Sequence, residues 1–231
     1  PFDLVMIDEA AQAIEEQTYS ALLCAENVVA LGDHMQLGPV VKSPWAKSNG
    51  LACPLIERLI NIQLGIPYLM LTTQYRMYEP ICTLISRVCY ASQLECAEES
   101  CKLVKESFLK RIDWPNHPIV VVHVPSQEES VDVTGHRNCL EAATVQRLVE
   151  EIWTGRLCPK DLGIIATYQG QRKVLEGVMP DLKDSIKTID GFQGGEKDFI
   201  VLSMVRANDD GAMGFSDDPS RLAVAFSRGR R

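Results

Sequence analysis

Hydrophobic residues in this chain gather into short unbroken runs, and two early runs end at their carboxyl side in acids. Phe2 to Ile7 leads into Asp8 and Glu9, and Val28 to Leu31 leads through Gly32 into Asp33. A continuous apolar run of about four to eight residues suits a strand buried on both faces. In open α/β sheets the carboxyl edge of such strands carries the reactive groups. Between the two runs, Ala10 to Cys24 has the apolar spacing of a helix. A loop from Gly38 to Gly50 then leads to a helix over Leu51 to Ile62, which Gly65 and Pro67 end before a strand over Tyr68 to Arg76. Further on, predicted strands at Ile119–Val124, Leu162–Ala166 and Phe199–Val205 alternate with predicted helices at Glu79–Cys89, Cys139–Trp153 and Gln171–Val178. That alternation predicts an α/β fold. Residues Glu95 to Asp113 are polar and poorly periodic, Ser126 to Arg137 reads as a loop, and a domain boundary is expected near Ile66.

At 231 residues, 46% of them hydrophobic, the chain can bury one large core or two small ones, which sets aside disordered and fibrous classes. Its formal charge of −8 argues against a polybasic nucleic-acid binder but is compatible with one narrow basic track. No apolar run approaches the roughly 20 residues of a membrane span, and Pro1 follows no secretory leader. A cytoplasmic location is expected, with the nucleus open as a second. The eight cysteines are scattered through a chain too apolar to need a disulfide framework, so reduced thiols are expected. Cys82, Cys89, Cys96 and Cys101 contain no C-x-x-C pair, and the first two fit one face of a helix rather than a zinc site.

Asp8 and Glu9 are the first candidate chemistry. In a nucleoside triphosphatase a strand-end Asp holds magnesium and an adjacent Glu can take a proton from the attacking water. Alone, the pair equally suits two solvated acids near a helix start. It is followed in order by GDHMQLGP (Gly32 to Pro39), QYRM (Gln74 to Met77), TIDGFQGGEKDFIVLSMVR (Thr188 to Arg206) and RLAVAFSRGR (Arg221 to Arg230). These segments, with LIERL, GIIATYQGQRKVL and the stretch from Arg206 to Leu222 between them, resemble the successive motifs of the Upf1-like branch of superfamily 1 helicases. The resemblance spans nearly the whole chain.

It implies a tandem of RecA-like P-loop NTPase lobes. Residues 1–66 would be an incomplete first lobe with motifs II and III, and 67–231 a nearly complete second lobe with motifs IV to VI. It also implies ATP and Mg2+ as cofactors, single-stranded RNA or DNA as the track, 5′ to 3′ movement, and mRNA surveillance proteins as partners. Residue by residue, Asp8 would hold the metal and Glu9 would be the base. Gln36 would sense the terminal phosphate, Tyr75 would stack on adenine and Arg76 would reach that phosphate. Gln193 and Gly194 would couple nucleotide to nucleic acid, Glu196 would lie near the ribose, and Arg228 would be the arginine finger. Read singly, Tyr75 also suits a half-buried strand aromatic, His34 a locally bonded loop residue, Gly194 and Gly195 a simple turn, and Arg221, Arg230 and Arg231 solvated charges.

The chain departs from the family pattern in three ways. No Gly-Lys dipeptide occurs, so no segment is a Walker A phosphate loop. The chain is therefore expected to start inside the first lobe and to be inactive alone, and a truncated RNA- or protein-binding module is the alternative. Tyr78 stands where the family usually has His. Ala223 stands where it usually has Asn, which removes an amide near Arg228.

Overall fold

Two short parallel strands open the chain, β1 (Phe2–Ile7) and β2 (Ala25–Ala30), with Phe2 opposite Ala25 and Ile7 opposite Ala30. The computed structural model describes residues 2–62, 66–101, 117–131, 135–154 and 159–230. They divide into two units, Pro1–Leu71 and Thr72–Arg231. Of the expected features, Gly65, Cys158, Arg231, residues 102–113 of the polar stretch and residues 132–134 of the predicted loop lie outside the described residues.

In the first unit, α1 (Glu15–Leu22) is shorter than the predicted helix because residues 8–12 form turns. Two more helices follow, α2 (Pro44–Ser48) and α3 (Leu55–Asn61). The sequence reading treated α2 as loop. Its signal is local: Pro44 takes the first helical position, where its missing N–H costs nothing, and the Ser43 side chain accepts from the Ala46 amide at 3.3 Å. Arg58 of α3 binds Glu15 of α1 through Nε–Oε2 at 2.5 Å and through Nη2–Oε1. The Arg58 hydrogen bond, with a second from Tyr19, holds the Glu15 carboxyl below the usual carboxylate range.

The second unit is built on a parallel sheet in the order β8 (Ile186–Thr188), β7 (Leu162–Ala166), β9 (Phe199–Ser203). Every residue of the central β7 is buried. The helices α6 (Cys139–Thr154) and α7 (Gln169–Val178) supply Ala142, Val145, Val149 and Leu175 to the core around it. Full burial of an aliphatic side chain stabilises by about 1.5–3 kcal/mol, so each buried aliphatic residue of this layer contributes on that order.

A second cluster joins α4 (Glu79–Cys89) to α8 (Pro219–Phe226) through Ile81, Cys82, Ile85, Cys89 and Ala223. Cys82 and Cys89 are core side chains here. Ala223 is fully buried in apolar surroundings. Asp218 caps α8, accepting from the Ser220 amide at 3.0 Å. The remaining elements are short: β3 (Thr73–Gln74) pairs in parallel with β4 (Glu95–Cys96), α5 covers Glu98–Cys101, and β5 (Glu129–Ser130) pairs antiparallel with β6 (His136–Arg137).

Two predicted strands need correction. Ile119–Val124 forms no strand, and of Tyr68–Arg76 only Thr73–Gln74 pairs. Both runs are β-branched or aromatic enough to favour extended backbone. A strand also needs a ladder partner, which propensity does not supply. Val121, Leu69 and Leu71 are accordingly exposed.

Candidate functional site

In the first unit the β1–β2 pairing runs past the strand ends. Leu31 N donates to Ile7 O and Ala10 N to Leu31 O, both at 2.8 Å, so Asp8 and Glu9 turn away beside Gly32 and Asp33. A Cβ on Gly32 would stand 2.8 Å from the Ala11 nitrogen, so only glycine lets the two segments approach this closely. Glu9 has a left-handed backbone at φ 52°, uncommon for a side-chain-bearing residue and a mark of a constrained site. Its amide donates to Asp8 Oδ1 at 3.0 Å, and its Oε2 accepts from Gln12 Nε2 at 2.6 Å. Beside it, Asp33 Oδ2 accepts from Gln36 Nε2 at 2.7 Å and orients that amide. Asp8 and Glu9 are exposed at the strand edge.

No cluster of three metal-capable side chains occurs among the described residues. A magnesium ion carried by a polyphosphate needs only one or two protein carboxylates, its other positions going to phosphate and water. An exposed strand-end Asp8 fits that requirement.

In the second unit three distant segments meet. Gln74 shapes the first: its Oε1 accepts from the Arg76 amide at 2.9 Å and the Met77 amide at 2.6 Å, while its Nε2 donates to Met77 O at 2.8 Å. This side-chain bracket closes a turn that presents Tyr75 and Arg76. Tyr75 is 67% exposed, so it is an open aromatic surface rather than a half-buried strand residue. Backbone bonds tie the other two segments in: Tyr78 N to Arg230 O at 3.0 Å, Lys197 N to Arg228 O at 3.0 Å and Arg230 N to Lys197 O at 2.9 Å. Arg76 Nε then reaches Glu196 Oε2 at 2.6 Å, Arg230 lies 3.4 Å from Glu196 Oε1, and Arg230 lies 2.9 Å from Asp198.

Arg228 sits differently. It is 2% exposed, with Nε donating to Val224 O at 2.9 Å, Nη1 to Gly195 O at 3.3 Å and Nη2 to Ser227 Oγ at 2.7 Å. In this structure its guanidinium faces the body of its own unit. Gly194 is left-handed at φ 74° in the turn after Phe192, where Gln193 is partly buried and Gly195 lies against the Phe192 ring.

A cavity of about 500 Å3 opens beyond the carboxyl ends of β7 and β8, lined by Thr167, Tyr168, Lys173, Thr188, Phe215 and Arg221 among others. Such strand-end crevices are where open α/β sheets bind ligands. Its aromatic wall is tightly fixed: Phe215 N donates to Tyr168 Oη at 3.0 Å, His136 packs edge-on to Tyr168 at 4.9 Å, and the Arg221 guanidinium lies 4.7 Å from the Phe215 ring centre. Glu128 ties the loop behind this wall by accepting from the Ala207 amide at 2.8 Å and by an ion pair with Arg206 at 3.1 Å.

Of the residues singled out from sequence, Asp8 and Glu9 come beside the Asp33–Gln36 turn, and Arg76 meets Glu196. Arg228 is not among the side chains around Glu196. By sequence alone Arg230 and Arg221 suit either a solvated charge or a catalytic role, whereas Asp198 and most of the cavity lining are not singled out. One signal is available: Glu196 and Asp198 are two residues apart, the spacing that places side chains on one side of an extended chain.

Two AAA-domain family models match this chain, over residues 1–44 and residues 51–231. It is 34% identical to "Regulator of nonsense transcripts 1 homolog" of Neurospora crassa, covering 99% of this chain and 22% of that protein. It is 36% identical to the Arabidopsis thaliana homolog, covering 99% and 19%. It is 35% identical to "ATP-dependent helicase upf1" of Schizosaccharomyces pombe, covering 99% and 26%. The chain thus spans about a fifth to a quarter of these relatives' length. Among solved structures it overlaps "The structure of PRRSV helicase" at a TM-score of 0.49 and 18% identity, over all of this chain and 34% of that one.

Proposed function

Because this chain belongs to the AAA-domain family and is similar along its length to Upf1-like helicases, we propose that it is part of an ATP-hydrolysing motor that moves 5′ to 3′ along single-stranded RNA. The two units would be RecA-like lobes. The Gly65–Pro67 break draws their boundary at residues 66 and 67, and compactness draws it between Leu71 and Thr72. One observation carries the reading: residues 76, 196 and 230, far apart in sequence, converge on a partly exposed cluster whose arginines suit a polyphosphate.

In the proposed reaction Glu9 takes a proton from water as the water oxygen bonds to the terminal phosphorus. The bond from that phosphorus to the bridging oxygen breaks, releasing ADP and phosphate. Asp8 would hold magnesium, which supplies positive charge to the phosphate oxygens when bound. Gln36, fixed by Asp33, would orient on the terminal phosphate, and Arg76 would offset its charge. Arg228 would act as the arginine finger after exchanging its bonds to Val224, Gly195 and Ser227. Tyr75 offers the adenine an exposed ring, with Gln193, Gly194 and Glu196 completing the nucleotide and coupling contacts.

The cavity beyond β7 and β8 supports the single-strand part of the proposal. It combines the exposed Phe215 ring with Lys173 and with Arg221, which is also paired with Asp190 and Asp218, the elements of a stacking and backbone-tracking groove for single strands. Similarity to regulators of nonsense transcripts favours RNA over DNA as the track, and surveillance proteins as partners and work in the cytoplasm are proposed along with that reading.

The test is RNA-stimulated ATP hydrolysis by the full-length protein and its Glu9→Gln variant. A lost general base lowers turnover by about 10^2 to 10^4-fold, with nucleotide binding retained. Equal turnover in the two proteins would remove Glu9 from the reaction.

A further inference from the structure

We infer that Glu196 is a latch for Arg76, one that a nucleoside triphosphate must open and a diphosphate need not. This rests on the reading that Arg76 meets the terminal phosphate, and it adds Arg230 to the residues that govern the site. Arg76 is engaged by a carboxylate of its own unit, with its Nε 2.6 Å from Glu196 Oε2. Both side chains are open to solvent, at 37% and 40% exposure, so the bond between them is weak enough to trade.

The geometry provides for the trade. The Arg76 backbone is pinned, because its amide donates to Gln74 Oε1 at 2.9 Å, so only the side chain has to swing. Glu196 is not stranded when Arg76 leaves, because Arg230 lies 3.4 Å from its other oxygen. Arg230 is itself anchored to Asp198 at 2.9 Å and held in line by the backbone bonds on either side of Lys197. A terminal phosphate carries more charge than one carboxylate and accepts a guanidinium through two oxygens, so it displaces Glu196. ADP ends one phosphate short, at its β-phosphate, so on this reading it does not reach Arg76 and leaves it on Glu196. The latch therefore lowers affinity for ATP while leaving affinity for ADP alone.

The ratio of dissociation constants, ADP over a nonhydrolysable imido analogue of ATP, isolates this term in the full-length protein. Any contact of Glu196 with the ribose is common to both nucleotides and cancels. Glu196→Gln is expected to raise the ratio about two- to fivefold, the span of an exposed ion pair. Arg230→Gln, which leaves the whole carboxylate to Arg76, is expected to lower it. Arg76→Gln should lower the ratio too, and adding Glu196→Gln to it should change nothing further. If Arg76→Gln lowers the ratio but Glu196→Gln does not raise it, the latch is wrong and the phosphate role of Arg76 stands. If Arg76→Gln leaves the ratio unchanged, the phosphate role fails and the latch falls with it.

Discussion

β1 and β7 are both short apolar runs in parallel pairings, yet they live in opposite surroundings. β7 lies between β8 and β9, and Ile164 and Ile165 are 0% exposed. Among the described residues β1 pairs with β2 alone, and Phe2, Leu4 and Met6 are exposed there. An apolar strand calls for cover on two faces, and only other elements can provide it. In the second unit α6 and α7 do so for β7. Among the described residues of the first unit, nothing covers β1 to that degree. Both units nevertheless carry their candidate chemistry in the turns around their strands, so site geometry here depends more on local turns and bridges than on depth of core.

The sharpest way to break that contrast is to truncate both strands. Ile164→Ala is expected to destabilise by about 2–5 kcal/mol, the range for truncating a core aliphatic. Leu4→Ala, on a side chain exposed in this 231-residue chain, should stay within about 0.5 kcal/mol when that same chain is unfolded. Denaturant unfolding followed by circular dichroism measures both, and equal losses would mean that β1 is as well packed as β7. Next in size is Gly32→Ala. The added methyl would stand 2.8 Å from the Ala11 nitrogen, and overpacking of this kind costs about 1–3 kcal/mol. Because the strain falls on the Asp8–Ala11 turn, ATP turnover of the full-length protein should drop more than its melting temperature. Intact turnover would show that the close approach is dispensable.

The smallest effect concerns pH. Arg58 holds the Glu15 carboxyl below its ordinary range. The folded pKa is lower than the unfolded one, so this contribution is fully present above about pH 4.3 and is lost as pH falls through the folded value. Arg58→Gln should flatten the acid limb of stability for the first unit, and an unchanged limb would show that Glu15 and Arg58 are uncoupled in solution.

Legibility followed the range of the forces involved. α4 and β7 have the limits read from sequence, because amphipathic spacing in one and an unbroken apolar run in the other are complete within the segment. α1 was read five residues too early at its start, since its helical spacing begins inside the turns that carry Asp8 and Glu9. Ile119–Val124 was read as a strand because β-branched residues favour extension, whereas pairing depends on a neighbour the segment does not contain. The sequence marks only a helix end among Arg221, Arg230 and Arg231 and gives α8 no limits, although Asp218 and Pro219 mark its start, because the motif there draws a chemical rather than a structural reading.

By itself the sequence determined the α/β class, the family, and the order of the motifs. Each of these is a property of residue types at fixed spacing, written in the chain before it folds. The tertiary structure decided who meets whom: Arg76 on Glu196, Arg230 between Glu196 and Asp198, and Arg228 turned into its own unit. An ion pair that joins residues 76, 196 and 230 depends on strand register and on a few backbone bonds between distant segments. No local pattern encodes those distances, because they are set only when the intervening chain has packed.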